Sequence, residues 1–206
     1  MSDDVRVDGR TARAQRTRAA IVDAHLALLA SGDLKPTGER IAEAAGVSLR
    51  TLWTSFKDME TLFAAAGERL IEMQRAEFQA IDPALPRGER VDRFCRQRAR
   101  MLEILAPAAR ASILREPFSA QLRRNRAREL SLVHDEIGQL FAAELDAEPD
   151  AAARLELHQA LLTASTFASW SVLRYQLGLS IDDAGRVMAR TVLALVGAGR
   201  PPGPAA

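Results

Sequence analysis

The chain has 206 residues, 48% hydrophobic but only 5% aromatic, with a formal net charge of +1. That length suits one large domain, or a small domain fused to a larger one. The single Cys95 excludes an intramolecular disulfide framework and a cysteine zinc site, and it fits the cytoplasm.

Ala and Leu are abundant and β-branched runs are scarce, so the composition predicts an all-α fold of about nine helices with no sheet. The amino terminus has no apolar core of signal-peptide length. Nothing downstream approaches the ~18 uninterrupted apolar residues of a membrane span, so no membrane partner is expected. Between Arg6 and Lys57 nine basic side chains face five acidic ones, a local excess that suits a polyanion.

Residues 1–15 read as a flexible basic leader. Arg10, Arg13, Arg16 and Arg18 make either an arm that tracks a DNA backbone or a solvated segment. Helical periodicity starts near Arg16, with Ile21, Ala24, Leu28 and Leu29 on one face, and stops at Ser31-Gly32. Thr37 caps a short helix over Gly38–Ala45. Gly46 ends that helix, and Ser48 caps a third through Leu49–Phe56.

Two helices joined by so short a glycine turn cross steeply, which is helix-turn-helix geometry. Ala42 and Ala45 permit close approach, while Ile41, Val47 and Leu52 point inward. Asp58 caps a fourth helix running from Met59 to about Gln79, and residues 81–90 (IDPALPRGER) form a linker. Further helices are expected over 88–105, 107–115, 119–145, 150–177 and 180–197. Residues 199–206 form a Pro/Gly-rich tail expected to be disordered.

An α-helix fits the major groove of B-DNA, where side chains that donate, accept or touch the thymine methyl read the bases. With Leu52 and Phe56 turned inward, the third helix leaves Leu49, Arg50, Thr51 and Thr54 near its outer face. Arg50 suits guanine O6 and N7, Thr51 a base edge or methyl, and Trp53 and Ser55 the flanking phosphates. A tight αα turn in an ordinary helical bundle would also keep its polar residues outside.

The stretch IAEAAGVSLRTLWTSFKDMETLF resembles the N-terminal DNA-binding domain of the TetR family of bacterial transcription regulators. The resemblance covers Arg16 to about Leu70 and is densest over Ile41–Phe56. It implies domains at 16–62 for DNA binding and 63–198 for ligand binding and dimerisation. It places Thr37 and Gly38 at the DNA backbone and Ser48, Leu49, Arg50 and Thr51 at the groove. Trp53 stands where the family usually has a phosphate-contacting Tyr. The family's usual Lys at the start of helix four falls on Met59, and Lys57 is its candidate replacement.

The resemblance further implies a homodimer on a palindromic double-stranded operator, a small largely apolar effector, no cofactor, and a repressor as the majority behaviour. The predicted 150–177 helix carries two apolar faces. One, through Leu157, Leu161, Ala164, Ala168, Val172 and Tyr175, is expected at the dimer interface. Candidate effector contacts are Phe94, Arg98, Met101, Leu105, Phe118, His134, Phe167 and Trp170. Arg98 interrupts an apolar stripe and needs a partner. That partner is an internal acid such as Glu116 or Asp135, solvent reached by snorkelling, or an anionic or carbonyl-bearing ligand.

No hydrolase, metalloprotease or phosphate-loop motif is present, so no enzyme is expected. The alternative is an all-α small-molecule-binding or scaffold protein without sequence-specific DNA binding.

Overall fold

A computed structural model describes residues 3–197, and all regular structure among them is helical. The helices are α1 Asp3–Ala30, α2 Gly38–Ala44, α3 Leu49–Ser55, α4 Met59–Glu77, α5 Arg87–Arg115, α6 Ala120–Leu140, α7 Ala142–Asp146, α8 Ala151–Ala164, α9 Phe167–Ser171 and α10 Ile181–Gly197. A 3-10 turn spans Glu116–Phe118 and a π turn spans Val172–Gln176. The expected tail at 199–206 and the first two residues of the leader lie outside the described residues.

Four expectations are corrected. Residues 3–15 belong to α1, whose Arg, Ala and Gln are good helix formers. α5 runs unbroken through Pro107, where a break was expected, although the ring removes the amide bond to the Glu103 carbonyl and crowds that carbonyl. The 119–145 helix divides at Phe141, whose φ of −109° and ψ of 24° leave the helical region. The 150–177 helix divides at Ser165, with φ −101° and ψ 2°.

Local hydroxyl chemistry explains that last break. The Ser165 hydroxyl donates to the Leu161 carbonyl at 2.7 Å, and the Thr166 hydroxyl donates to the Thr163 carbonyl at 2.9 Å. Thr166 Oγ1 also accepts from the Ser169 amide and so caps α9. Such side chains offer the backbone an alternative to the helical ladder.

The chain forms two compact units, one from residues up to Met73 with Leu105–Arg126, the other from Gln74–Ile104 with residues from Ala127 onward. In the first unit, Ile21, Val22, Ile41, Ala42, Leu52, Phe56, Leu62 and Ala66 form one buried cluster. This unit extends past the expected boundary at residue 62, because Gln121 and Asn125 of α6 hydrogen-bond to Glu60 and Phe63 of α4. In the second unit α8 packs on α10, which buries Ala184, Met188, Val192 and Val196 at a four-residue spacing.

Candidate nucleic-acid interface and effector site

The α2–α3 pair is fixed from its caps inward. Thr37 Oγ1 accepts from the Arg40 amide at 3.4 Å, and Ser48 Oγ accepts from the Thr51 amide at 3.1 Å. Between them Gly46 adopts φ +65°, a conformation that costs other residues strain. Ile41 and Leu52 are fully buried, Val47 half-buried. The crossing is therefore held by side chains facing away from the outer surface of α3.

That outer surface carries Leu49, Arg50, Trp53 and Thr54, all exposed, with Thr51 half-buried. Gly38 is the seat of Trp53: a Cβ on it would stand 2.6 Å from indole Cζ2. Lys57 is exposed at the end of α3, whereas Met59 packs against the buried cluster of the first unit.

Three hydroxyls on this surface have unequal freedom. Thr54 donates its proton to the Arg50 carbonyl at 2.8 Å, so only its lone pairs face outward. The Ser48 and Thr51 hydroxyls share one hydrogen bond at 2.8 Å, which leaves one of the two protons for an outside acceptor.

Inside the second unit, Arg98 is 2% exposed and finds an internal partner. Its Nη2 donates to Glu129 Oε1 at 3.1 Å and to the Ser165 carbonyl at 2.8 Å. The acid is Glu129, on α6 six residues before the expected Asp135, and neither Asp135 nor Glu116 of the 3-10 turn. Phe94, Met101, Phe167 and Trp170 are all buried. The Trp170 indole donates to Glu103 Oε1 at 2.8 Å.

No family model matches this sequence, and no curated protein is recognisably similar to it. Solved structures are similar. A transcriptional regulator from Rhodococcus sp. RHA1 superposes with a TM-score of 0.65 at 16% identity, over 89% of this chain and 96% of that one. A protein assigned to the TetR family of transcriptional regulators, from Mesorhizobium loti, superposes with a TM-score of 0.60 at 17% identity, over 90% and 97%. The fold is that of the TetR family.

Within this TetR fold the remaining candidates scatter. Leu105, half-buried, and Phe118, 91% exposed, belong to the first unit, so Phe118 is not part of any buried cluster there. His134 is exposed and stacks on His158 with ring centroids 3.9 Å apart, a surface pair. The line of predicted dimer residues is bent by the break at Ser165. Leu161 is fully buried in its own chain, Leu157 and Ala164 are half-buried, and Ala168, Val172 and Tyr175 are exposed.

Several side chains have partners that the sequence reading did not supply. Arg18 lies over the Phe56 ring at 4.1 Å and donates to the Ser55 carbonyl, tying α1 to the end of α3. Asn125, on a helix stretch otherwise rich in Arg, donates its side-chain amide to the Phe63 carbonyl at 2.9 Å. Arg90 grips Glu144 through Nη1 at 3.1 Å and Nη2 at 2.5 Å, both side chains buried. Burial pushes the Cys95 thiol up to about 12 against the opposing pull of Arg98, so it is a packed thiol with no thiolate character.

Proposed function

We propose that this protein is a DNA-binding transcription regulator that acts as a homodimer on an inverted-repeat operator and is released by a small, largely apolar effector, as a repressor is. The observation that carries the reading is the α2–Gly46–α3 turn, capped at both helices and buried on one side. Its other side offers Leu49, Arg50, Trp53 and Thr54 to solvent. In the proposed complex Arg50 takes guanine O6 and N7, Leu49 meets a thymine methyl, and Thr37, Gly38, Ser48, Thr51, Trp53 and Lys57 position the helix.

Dimerisation is supported by apolar side chains left exposed in the second unit. Val172, Tyr175 and Leu177 follow α9, and Ile181, Val187 and Leu193 lie on α10. A symmetric dimer presents two α3 helices about one DNA turn apart, ~34–36 Å or somewhat more, which calls for inverted half-sites. The effector would sit in the second unit, among Phe94, Arg98, Met101, Phe167 and Trp170.

Genome-wide mapping of DNA bound by tagged protein tests the reading. Enrichment of a palindromic sequence near a small set of promoters is expected. Absence of any enriched sequence would favour a small-molecule-binding protein that does not read DNA.

A further inference from the structure

Phe118 is the most exposed large apolar side chain among the described residues, and Ile113 and Leu114 in the last turns of α5 are exposed beside it in sequence. The turn that carries the ring is tightly held. Pro117 fixes one of its backbone angles. Arg123 Nη1 donates to the Glu116 and Pro117 carbonyls at 2.9 and 3.1 Å, and Arg126 Nε donates to Glu116 Oε2 at 2.7 Å. Directly after the ring, the buried Ser119 accepts from the Leu122 amide at 3.1 Å and so caps α6. An apolar group presented on a held backbone loses little conformational freedom when a partner covers it, which is the character of an interface anchor.

Two cations stand next to this turn on neutral acceptors. Arg123 meets the two backbone carbonyls, and Arg124 Nε donates to the Gln121 side-chain carbonyl at 3.0 Å. Glu116, the acid of the turn, is already paired with Arg126. The turn is therefore an apolar tip flanked by positive charge. A surface that fits it offers an apolar floor and a rim with surplus negative charge.

The same unit carries such a surface. α1 and α4 border an open groove of about 700 Å³, floored by the buried Val22 and Phe56 and the half-buried Ala64 and Ala65. On its wall Arg69 donates from Nε to Asp23 at 3.1 Å and from Nη1 to Glu72 at 3.4 Å. Two exposed carboxylates thus share one guanidinium. With Arg18 and Glu68, which also line the groove, it has three acids to two bases. Phe118 does not occupy the groove of its own chain: α4 turns Glu60 and Phe63 toward α6, and the groove lies along another face of α4.

We propose that the Phe118 turn of one copy of this chain seats in the α1–α4 groove of a second copy. The ring lies against the Val22, Ala64 and Ala65 floor, and Arg124 faces Glu72 and Asp23 on the wall. The contact joins unlike surfaces, so it closes as a reciprocal pair when both turns are seated and continues as a row when only one is. Two copies of the turn do not meet each other, because their cations repel. The contact adds to any dimer made by the second unit, and it depends neither on DNA binding nor on an effector.

Sedimentation velocity of the full chain over a concentration series tests the contact. The average mass of the parent should grow with concentration, and added salt should reduce that growth. Phe118→Ser, a change at an exposed position that leaves the core intact, should lower the association constant roughly tenfold or more, as loss of an aromatic anchor does. Arg124→Glu and Glu72→Arg should each weaken association alone. An equal mixture of those two variants should associate like the parent, because each supplies the charge that the other has reversed. A parent of constant mass, a Phe118→Ser protein that associates like the parent, or a mixture no better than its components would each overturn the proposal. So would stronger association of Arg124→Glu alone, which is the result expected if two turns meet ring to ring.

Discussion

Asn125 donates its side-chain amide to the backbone carbonyl of Phe63 at 2.9 Å, over the bare backbone of Gly67. A Cβ on Gly67 would stand 2.6 Å from Asn125 Nδ2, so the glycine is what lets α6 sit on α4. Gly67→Ala should gain about 1 kcal/mol of helix propensity and lose a comparable amount by displacing Asn125 from Phe63. In an Asn125→Ala background only the gain remains. Urea unfolding of the four proteins in this cycle should therefore show Gly67→Ala stabilising only when Asn125 is absent, and equal effects in both backgrounds would refute the contact.

Arg98→Met should destabilise the folded protein by about 3–5 kcal/mol, because Glu129, only 14% exposed, would be left as an uncompensated acid. Adding Glu129→Met should recover most of that loss. Thermal unfolding of the single and double variants makes the comparison. A single variant as stable as the parent would show that the pair carries no weight in the native state.

On the proposed DNA surface, Arg50→Ala should relax base preference at one position per half-site, with a loss of roughly 1–3 kcal/mol for a bidentate contact. Thr54 makes a finer case. Its proton is committed to the Arg50 carbonyl, so outward it only accepts, which suits an exocyclic amine of adenine or cytosine and not a phosphate. Selection of bound sequences from a random pool should show Thr54→Val shifting preference at a single base. Uniform weakening across all sequences would assign both residues to the backbone.

Lys57 is exposed beside α3, and Met59 is half-buried against the buried cluster of the first unit. Lys57→Ala should weaken specific and random DNA alike and lower the slope of log K against log salt by about one unit. Met59→Lys should not add a phosphate contact without cost, because it removes a packed side chain. An unchanged salt slope for Lys57→Ala takes the residue off the interface.

His25 in the first unit is buried against Phe63, with ring centroids 5.9 Å apart. Burial, then the Arg115 guanidinium, push its imidazole down to about 4, with Asp33 pulling the other way. The unfolded chain therefore binds the proton first. The contribution of neutral His25 is complete above pH ~6.5 and is lost as pH falls toward the folded value. Between pH 7 and 4.5 the unfolding temperature of His25→Leu should fall less steeply than that of the parent; parallel curves would show that His25 does not titrate in this way.

Local patterns in the sequence already determined the helix-turn-helix. Thr37, Gly46 and Ser48 act on neighbours within four residues, and the spacing of Ile41, Leu52 and Phe56 selects the buried face of each helix. The same logic located α4, its Asp58 cap and most of α10. It failed where distant partners decide. Apolar periodicity runs straight through Ser165 and cannot register that hydroxyls there turn back on the helix while Arg98, far off in sequence, takes the Ser165 carbonyl. Nor does it distinguish Phe118, left exposed, from Phe94, buried against Phe141 with ring centroids 5.5 Å apart. Glu129 as the partner of Arg98, Glu144 as the partner of Arg90 and Phe63 as the seat of Asn125 lie 31 to 62 residues away along the chain. A side chain's type announces that it needs a partner, but only the packing of helices in three dimensions chooses which one, because the choice depends on distance and burial and not on spacing along the chain.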